Sequence, residues 1–243
     1  MSTLLEVTEI EDLNRLFEHE TPEKLLAWAV ERFSNRLRLA CSFGAEDVAL
    51  VDIVSRHGLG IVPFVLDTGR LHQETYEVMD RFRAKYGIEF ETYYPDTERI
   101  QRLLSVKGPN SFYESIENRK ECCGIRKVEP LRRALSGCDG WVTGLRREQA
   151  VTRTSLPKIE IDESHGGIVK LNPLADWTEA QVWEYIRQNN VPYNALHDQG
   201  FPSIGCAPCT RAIQPGEDIR AGRWWWEAPE HKECGLHSRI QRS

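Results

Sequence analysis

Apolar positions along the chain alternate between strand-like and helix-like spacing. Residues 8–33 carry apolar side chains at helical intervals, with Pro22 placed to open a helix after Thr21. Residues 37–41 (Leu-Arg-Leu-Ala-Cys) read as a short strand, and residues 45–57 return to a helical period. Strands are expected at 61–66 and 88–93, on either side of a long helix over 71–86. Helices fill 96–135, a strand follows at 141–143, and weaker strands near Ile159 and at 168–171 suggest an edge ribbon. The stretch 178–190 is helical, with Val182, Trp183 and Ile186 on one face. Such alternation predicts an α/β fold: an open, mostly parallel twisted sheet with helices on both faces. Beyond residue 190 the periodicity fades, so residues 1–215 are expected to form the body and 216–243 a mobile C-terminal tail.

Composition narrows the setting. With 40% hydrophobic and 28% charged residues in 243, the chain fits an ordinary globular protein with one substantial core. A net charge of -6 argues against nucleic acid as a partner, because phosphate binding needs a positive footprint. No basic start followed by an apolar stretch is present, and no segment approaches the roughly 20 apolar residues that span a bilayer. A cytoplasmic protein without a membrane partner is expected, and its oligomeric state is left open. In that compartment thiols stay reduced, so seven cysteines point to metal binding or redox catalysis rather than to a disulfide framework.

Three polar loops fall at the carboxyl ends of strands, where ligands bind in open parallel sheets. Ser42-Phe43-Gly44-Ala45-Glu46-Asp47 leads from the first strand into its helix. Gly44 lets backbone approach a ligand, Ser42 offers a hydroxyl, and the helix N-terminus presents free N–H groups. The loop lacks the Gly-Lys-Ser/Thr of a Walker A motif. A capped βα turn, with Asp47 complementing the helix dipole, accounts for the loop equally well when it is taken alone. Leu66-Asp67-Thr68-Gly69 and Thr143-Gly144-Leu145-Arg146-Arg147 end two further strands. Together the three loops suggest a nucleotide site using Ser42, Gly44, Asp47, Asp67 and Gly144.

Cys122-Cys123 and the distant Cys206-Ala207-Pro208-Cys209 form the second constellation. A CxxC lets two thiolates converge on one centre, but adjacent helical residues point about 100° apart and chelate a small ion poorly. An iron–sulfur cubane presents separate iron atoms, so four thiolates can complete a [4Fe–4S] centre. A four-cysteine zinc site and a CxxC redox pair remain rivals. Arg126 and Lys127 follow the cysteine pair, where positive charge can face both a cluster and a substrate anion. Cys234 stands alone beside Gly235, with His231, Lys232 and His237 nearby, a setting that lowers a thiol pKa and favours a nucleophile. Cys41 and Cys138 are expected to pack in the interior.

Taken together, the Ser42–Asp47 loop, Leu66–Gly69, Cys122-Cys123 with Arg126-Lys127, Gly144–Gln149, Cys206/Cys209 and Glu233-Cys234-Gly235-Leu236-His237 resemble the sulfonucleotide reductase family. Within it, the likeness is to the thioredoxin-dependent adenylylsulfate (APS) reductases. The resemblance implies an adenine nucleotide α-hydrolase-like fold, a [4Fe–4S] cluster on Cys122, Cys123, Cys206 and Cys209, and APS as substrate. It implies that Cys234 attacks the APS sulfur, giving AMP and an S-sulfocysteine from which thioredoxin (or glutaredoxin) releases sulfite. By the same likeness Lys127 and His237 serve the chemistry, and Arg146, Arg153, Arg220 and Arg223 join the substrate-binding residues. Phosphoadenylylsulfate (PAPS) reductases typically lack the four cluster cysteines, which favours APS. Dual substrate use, an ATP-dependent adenylyltransferase on the same fold and a cluster-bearing redox sensor are the other readings.

Overall fold

The structure is a computed structural model describing residues 5–149 and 153–228. Two compact units interleave along the chain. The first comprises Met1–Phe64, Val78–Glu91 and Gly137–Asn194, and the second Val65–Glu77, Thr92–Ser136 and Ala195–Ser243. The expected division at residue 215 falls inside the second unit, and residues 229–243 of the expected tail lie outside the described residues. No helix among the described residues is long and apolar enough to cross a membrane.

The helices are α1 (Val7–Phe17), α2 (Pro22–Phe33), α3 (Ala45–Arg56), α4 (Gln73–Tyr86), α5 (Thr97–Lys107), α6 (Ile116–Cys123), α7 (Glu129–Ala134) and α8 (Glu179–Gln188). The strands are β1 (Leu37–Ala40), β2 (Val62–Leu66), β3 (Glu91–Tyr93), β4 (Gly140–Val142), β5 (Ile159–Asp162) and β6 (Ile168–Leu171). They form one sheet in the order β3-β2-β1-β4-β6-β5. β1 runs parallel to β2 and β4, and β4 parallel to β6, with Leu39 facing both Pro63 and Val142. β5 returns antiparallel to β6, the edge ribbon anticipated from the weak apolar runs there. The expected mostly parallel α/β sheet is therefore what forms. β3 is shorter than its apolar run, since residues 88–90 lie outside the ladder.

Strand order explains where chemistry can be housed. The chain steps from β1 through β2 to β3, then returns to lay β4 against the other side of β1. β1 and β4 thus flank the point where the order reverses, and the loops leaving their carboxyl ends open a crevice there. In the first unit Leu37 and Leu39 of β1, Val142 of β4 and Leu171 of β6 are buried almost completely. Each such side chain contributes about 1.5–3 kcal/mol over its exposed state.

α3 is apolar on all sides, with Val48 through Val54 buried, so it packs inside the first unit rather than on its surface. Asp52 sits in that run at 0% exposure and must find donors. It accepts hydrogen bonds from the hydroxyls of Tyr86 (α4) and Tyr185 (α8; 2.6 Å), and Arg56 stands 3.8 Å away. Burial and the adjacent carboxylate push both phenols well above the usual tyrosine range. One carboxylate therefore staples three helices. Asp52→Leu orphans both phenols and is expected to lower unfolding free energy by roughly 2 kcal/mol. Urea titration checks this; a loss below about 0.5 kcal/mol, the range of neutral surface changes, contradicts the staple.

Candidate functional site

In the first unit, the loop after β1 is shaped by a ring rather than by its own polar groups. Phe43 has φ 60°, the left-handed region that costs a non-glycine residue about 1 kcal/mol or more. Its side chain is 1% exposed and packs on Phe90 (centroids 5.1 Å apart) and Phe82 (6.2 Å), which holds the turn. Gly44 then caps α3 without a side-chain hydrogen bond, leaving the first-turn amides open. Asp47 folds back and accepts from both the backbone N–H and the hydroxyl of Ser42, each at 2.7 Å.

The loop after β4 meets this turn. A Cβ at Gly144 would stand 2.4 Å from Asp47 Oδ1 and 2.9 Å from Glu46 Cβ, so only glycine permits the approach. Thr143 Oγ1 donates to Asn172 Oδ1 at 2.6 Å, which ties the loop to the residue after β6. Arg146, read from sequence as a substrate cation, is 2% exposed, and its guanidinium binds Glu46 at 2.7–2.8 Å and the Trp177 carbonyl at 3.3 Å. It braces the loop against the first turn of α3. Arg153 donates to Gln149 Oε1 at 2.6 Å.

In the second unit the loop after β2 is knitted to the cysteines. Asp67, 4% exposed, accepts from Gly69 N–H (2.8 Å) and the Tyr76 hydroxyl (3.0 and 3.1 Å), and burial lifts Tyr76 to about 12. Thr68 Oγ1 lies 3.3 Å from Cys206 Sγ, and its carbonyl accepts from Arg126. The Ala207 N–H donates to the Arg70 carbonyl at 2.8 Å.

α6 carries Cys122 and Cys123 at its end, after an N-cap at Ser115 whose hydroxyl accepts from Asn118 N–H (3.1 Å). Beyond them Gly124–Val128 winds as a π-helix before α7 begins. Pro130 gives the physical reason: it has no N–H, and its ring crowds the carbonyl four residues earlier, so the preceding turn widens. The widened turn brings Arg126 and Lys127 to the same solvent-open cavity as Cys122 and Cys123, which Cys206 and Cys209 also line. Arg70, Arg119 and Arg223 add further positive charge to the same wall.

Cys206–Cys209 is a tight turn closed by Cys209 N–H to the Cys206 carbonyl (2.9 Å). Gly205 beside it leaves room for the Arg223 guanidinium, which a Cβ there would meet at 2.3 Å and displace. Burial, then the neighbouring Cys206, push Cys209 up to about 12; burial likewise raises Cys122, against the pull of Arg126. Burial thus favours the neutral thiols, and an electrophilic centre binding them must displace protons. Among the described residues no three His, Cys, Asp or Glu side chains are gathered as for a metal ion. Arg126 Nε and Trp224 Nε1, buried in the same wall, have no hydrogen-bond acceptor.

Of the residues nominated from sequence, the four cysteines, Lys127 and Arg223 therefore share one cavity. Arg220 is linked to Arg223 by a turn, Arg223 N–H to the Arg220 carbonyl at 2.9 Å. Ser42, Gly44, Asp47, Gly144 and Arg146 meet in the first unit, and Asp67 belongs to the second. Cys234 and His237 lie outside the described residues. Cys41 and Cys138 are buried at 4% and 8% exposure, as packing residues should be. Sequence reasoning missed Arg119 and Glu227, a buried ion pair at 2.7 Å. A lone carboxylate directly after three tryptophans was the available signal.

The sequence profile of the phosphoadenosine phosphosulfate reductase domain matches residues 36–212. The chain belongs to this family. It is 54% identical over 218 residues to the adenosine 5′-phosphosulfate reductase of Burkholderia cepacia, covering 90% of this chain and 86% of that one. The enzyme of the same name from Allochromatium vinosum is 56% identical over 200 residues, covering 82% and 78%. Among solved structures, the phosphoadenylyl-sulfate reductase of Candida auris in a phosphate complex superposes with TM-score 0.73 at 33% identity, over 86% of this chain and 98% of that one. The resemblance seen in the sequence, and with it an oxidoreductase acting on sulfur, is borne out.

Asp47 offers a test of the first-unit loops in this family member. Burial raises its carboxyl from 3.8 to about 6, against the hydrogen bonds from Ser42. The folded state then holds a proton that the unfolded chain has released, so this group's contribution falls as pH rises from about 4 to about 6. Wild type should lose on the order of 1–2 kcal/mol relative to Asp47→Asn across that window. Parallel denaturation curves between pH 4 and pH 7 measure it, and a constant difference refutes the assignment.

Proposed function

We propose that this chain reduces adenosine 5′-phosphosulfate to sulfite and AMP, with a thioredoxin as electron donor and an S-sulfocysteine at Cys234 as intermediate. Membership of the family and the activity named for its 54–56% identical relatives support the substrate class. The observation that carries the reading is the single cavity lined by Cys122, Cys123, Cys206, Cys209 and Lys127. Its contents fit a [4Fe–4S] cluster better than one ion. Four thiols border one cavity, several cations line it to offset a polyanion, and two buried donors lack acceptors. Cys122, Cys123, Cys206 and Cys209 would hold the cluster, which when bound supplies a fixed anionic centre that orders the cations around it.

The remaining chemistry belongs to the chain's own side chains. The crevice of Ser42, Gly44, Asp47 and Gly144 receives the nucleotide, with the open amides of α3 toward its phosphate. Asp67 on the loop after β2, and Arg146 and Arg153 after β4, are further substrate-binding candidates. Lys127, Arg220 and Arg223 compensate negative charge so that a thiolate can approach a sulfate. His237, three residues from Cys234, favours the thiolate form. Cys234 Sγ attacks the sulfur, the sulfur–oxygen bond to the phosphate breaks, and AMP leaves with that electron pair. One thioredoxin thiolate then attacks the sulfocysteine and expels sulfite, and the second closes the thioredoxin disulfide. The dithiol thus provides the two electrons that take sulfur from sulfate to sulfite. The body over 1–215 binds nucleotide and the segment 216–243 delivers the thiol, in keeping with a cytoplasmic, reducing setting.

Single-turnover incubation with sulfur-labelled APS, without thioredoxin, should leave one labelled equivalent on the protein. The label should be lost in Cys234→Ser and released as sulfite by reduced thioredoxin; label retained in the variant sinks the mechanism. PAPS in parallel should label poorly, and equal labelling would establish dual use. Anaerobic purification should yield a brown protein with about four iron atoms per chain, whereas a colourless zinc protein refutes the cluster.

A further inference from the structure

Gly222 through Glu227 is fastened to both cysteine-bearing elements of the second unit. At one end Trp224 N–H donates to the Cys209 carbonyl (3.1 Å), Arg211 N–H donates to the Gly222 carbonyl (3.0 Å), and Thr210 bridges to Arg223. At the other end Glu227 receives a two-pronged contact from Arg119 on α6, Nε to Oε1 at 2.9 Å and a terminal nitrogen to Oε2 at 2.7 Å. Both side chains are essentially buried, at 1% and 3% exposure. Arg119 lies one helical turn before Cys122 and also hydrogen-bonds Cys123. Its guanidinium sits 4.8 Å from the centroid of Trp224, as does that of Arg223. Trp224 itself is held at φ 41°, a backbone conformation that persists only when its surroundings impose it.

An ion pair this deeply buried is a weak source of stability, because desolvation offsets most of the attraction. Its geometry, a rigid fork on a carboxylate, is suited to fixing a position. What it fixes is the root of the segment that carries Cys234, seven residues after Glu227. Seven residues reach at most about 25 Å, so the place of Glu227 bounds the volume the thiol can search. We propose that Arg119 and Glu227 are a positioning pair that couples the four-cysteine cavity to the root of the nucleophile-bearing segment. The inference rests on the functional reading above for what the cavity and Cys234 do. Arg119 is shared between Cys123 and Glu227, so filling the cavity steadies the root, and by reciprocity a steady root protects what fills the cavity.

Anaerobic holoprotein tests this with Glu227→Gln, which keeps the shape and removes the charge, and with Arg133→Gln, which breaks an exposed pair on α7, as control. Endoproteinase Lys-C should release the peptide after Lys232 at least fivefold faster from Glu227→Gln than from wild type or the control. The covalent labelling step should slow at least tenfold, thioredoxin-driven release of sulfite from preformed intermediate should be unchanged, and visible absorbance should bleach several-fold faster in air. Glu227→Asp, with its charge retained on a shorter arm, should fall between, which keeps the test valid if the glutamine variant folds poorly. Arg119→Met/Glu227→Leu should label no more slowly than Glu227→Gln alone. Unchanged nicking in Glu227→Gln, equal slowing of both half-reactions, or additive losses in the double variant overturn the pair. A wild-type chain without iron or without label overturns the functional reading instead, and the nicking comparison still judges the anchor.

Discussion

One widened helical turn sets the geometry of the second unit. Cys122 and Cys123 end α6 and diverge by about 100° as helical neighbours do, and in an uninterrupted α-helix Arg126 and Lys127 would follow them around the axis. Pro130 denies the helix a donor and crowds the turn before it, so Gly124–Val128 takes a π winding. The cysteine pair and the two cations then border one cavity with Cys206 and Cys209. Thr68 and the carbonyl of Arg70 tie the loop after β2 to the CxxC turn, so that loop and cavity share one frame.

The first unit solves a different problem. Its crevice lies where the sheet order reverses, and two loops with little secondary structure must stay in register there. Glycine at 144 allows contact with Asp47, and Arg146 closes that contact by pairing with Glu46, a hundred residues distant. Cationic charge that could have faced a ligand is consumed in bracing the walls. The first-turn amides of α3 carry no side-chain cap there, which leaves a partial positive charge at the helix start.

Periodicity carried most of the fold. The switch from two-residue to helical spacing was legible at every βα step, and the β5–β6 ribbon announced itself through two short apolar runs. The start of β3 was not legible, because Ile88 and Phe90 look like strand residues whether or not a neighbour pairs with them. The four cysteines and Lys127 could be nominated from residue type and spacing alone, whereas Arg223 came only from the family likeness. The π turn could not, since a pattern built on 3.6 residues has no signature for one wider turn. The pairing of Arg146 with Glu46 was not legible for a related reason: an arginine in a glycine loop reads the same whether or not a distant glutamate meets it. The Arg119–Glu227 pair joins residues 108 positions apart, and beyond the place of Glu227 after three tryptophans nothing local marks it as a buried contact.

The ring of Phe43 has a thermodynamic corollary for recognition. Its backbone angle is unfavourable in isolation, yet the ring is anchored among Phe82 and Phe90 inside the first unit. The shape of the loop is therefore stored in the hydrophobic interior, and an incoming molecule need not order it. Binding to such a loop carries a small conformational-entropy penalty, and affinity there tracks the integrity of an aromatic cluster that never touches the guest. A glycine at this position would relax the backbone while erasing that memory, trading a rigid receptor for a flexible one.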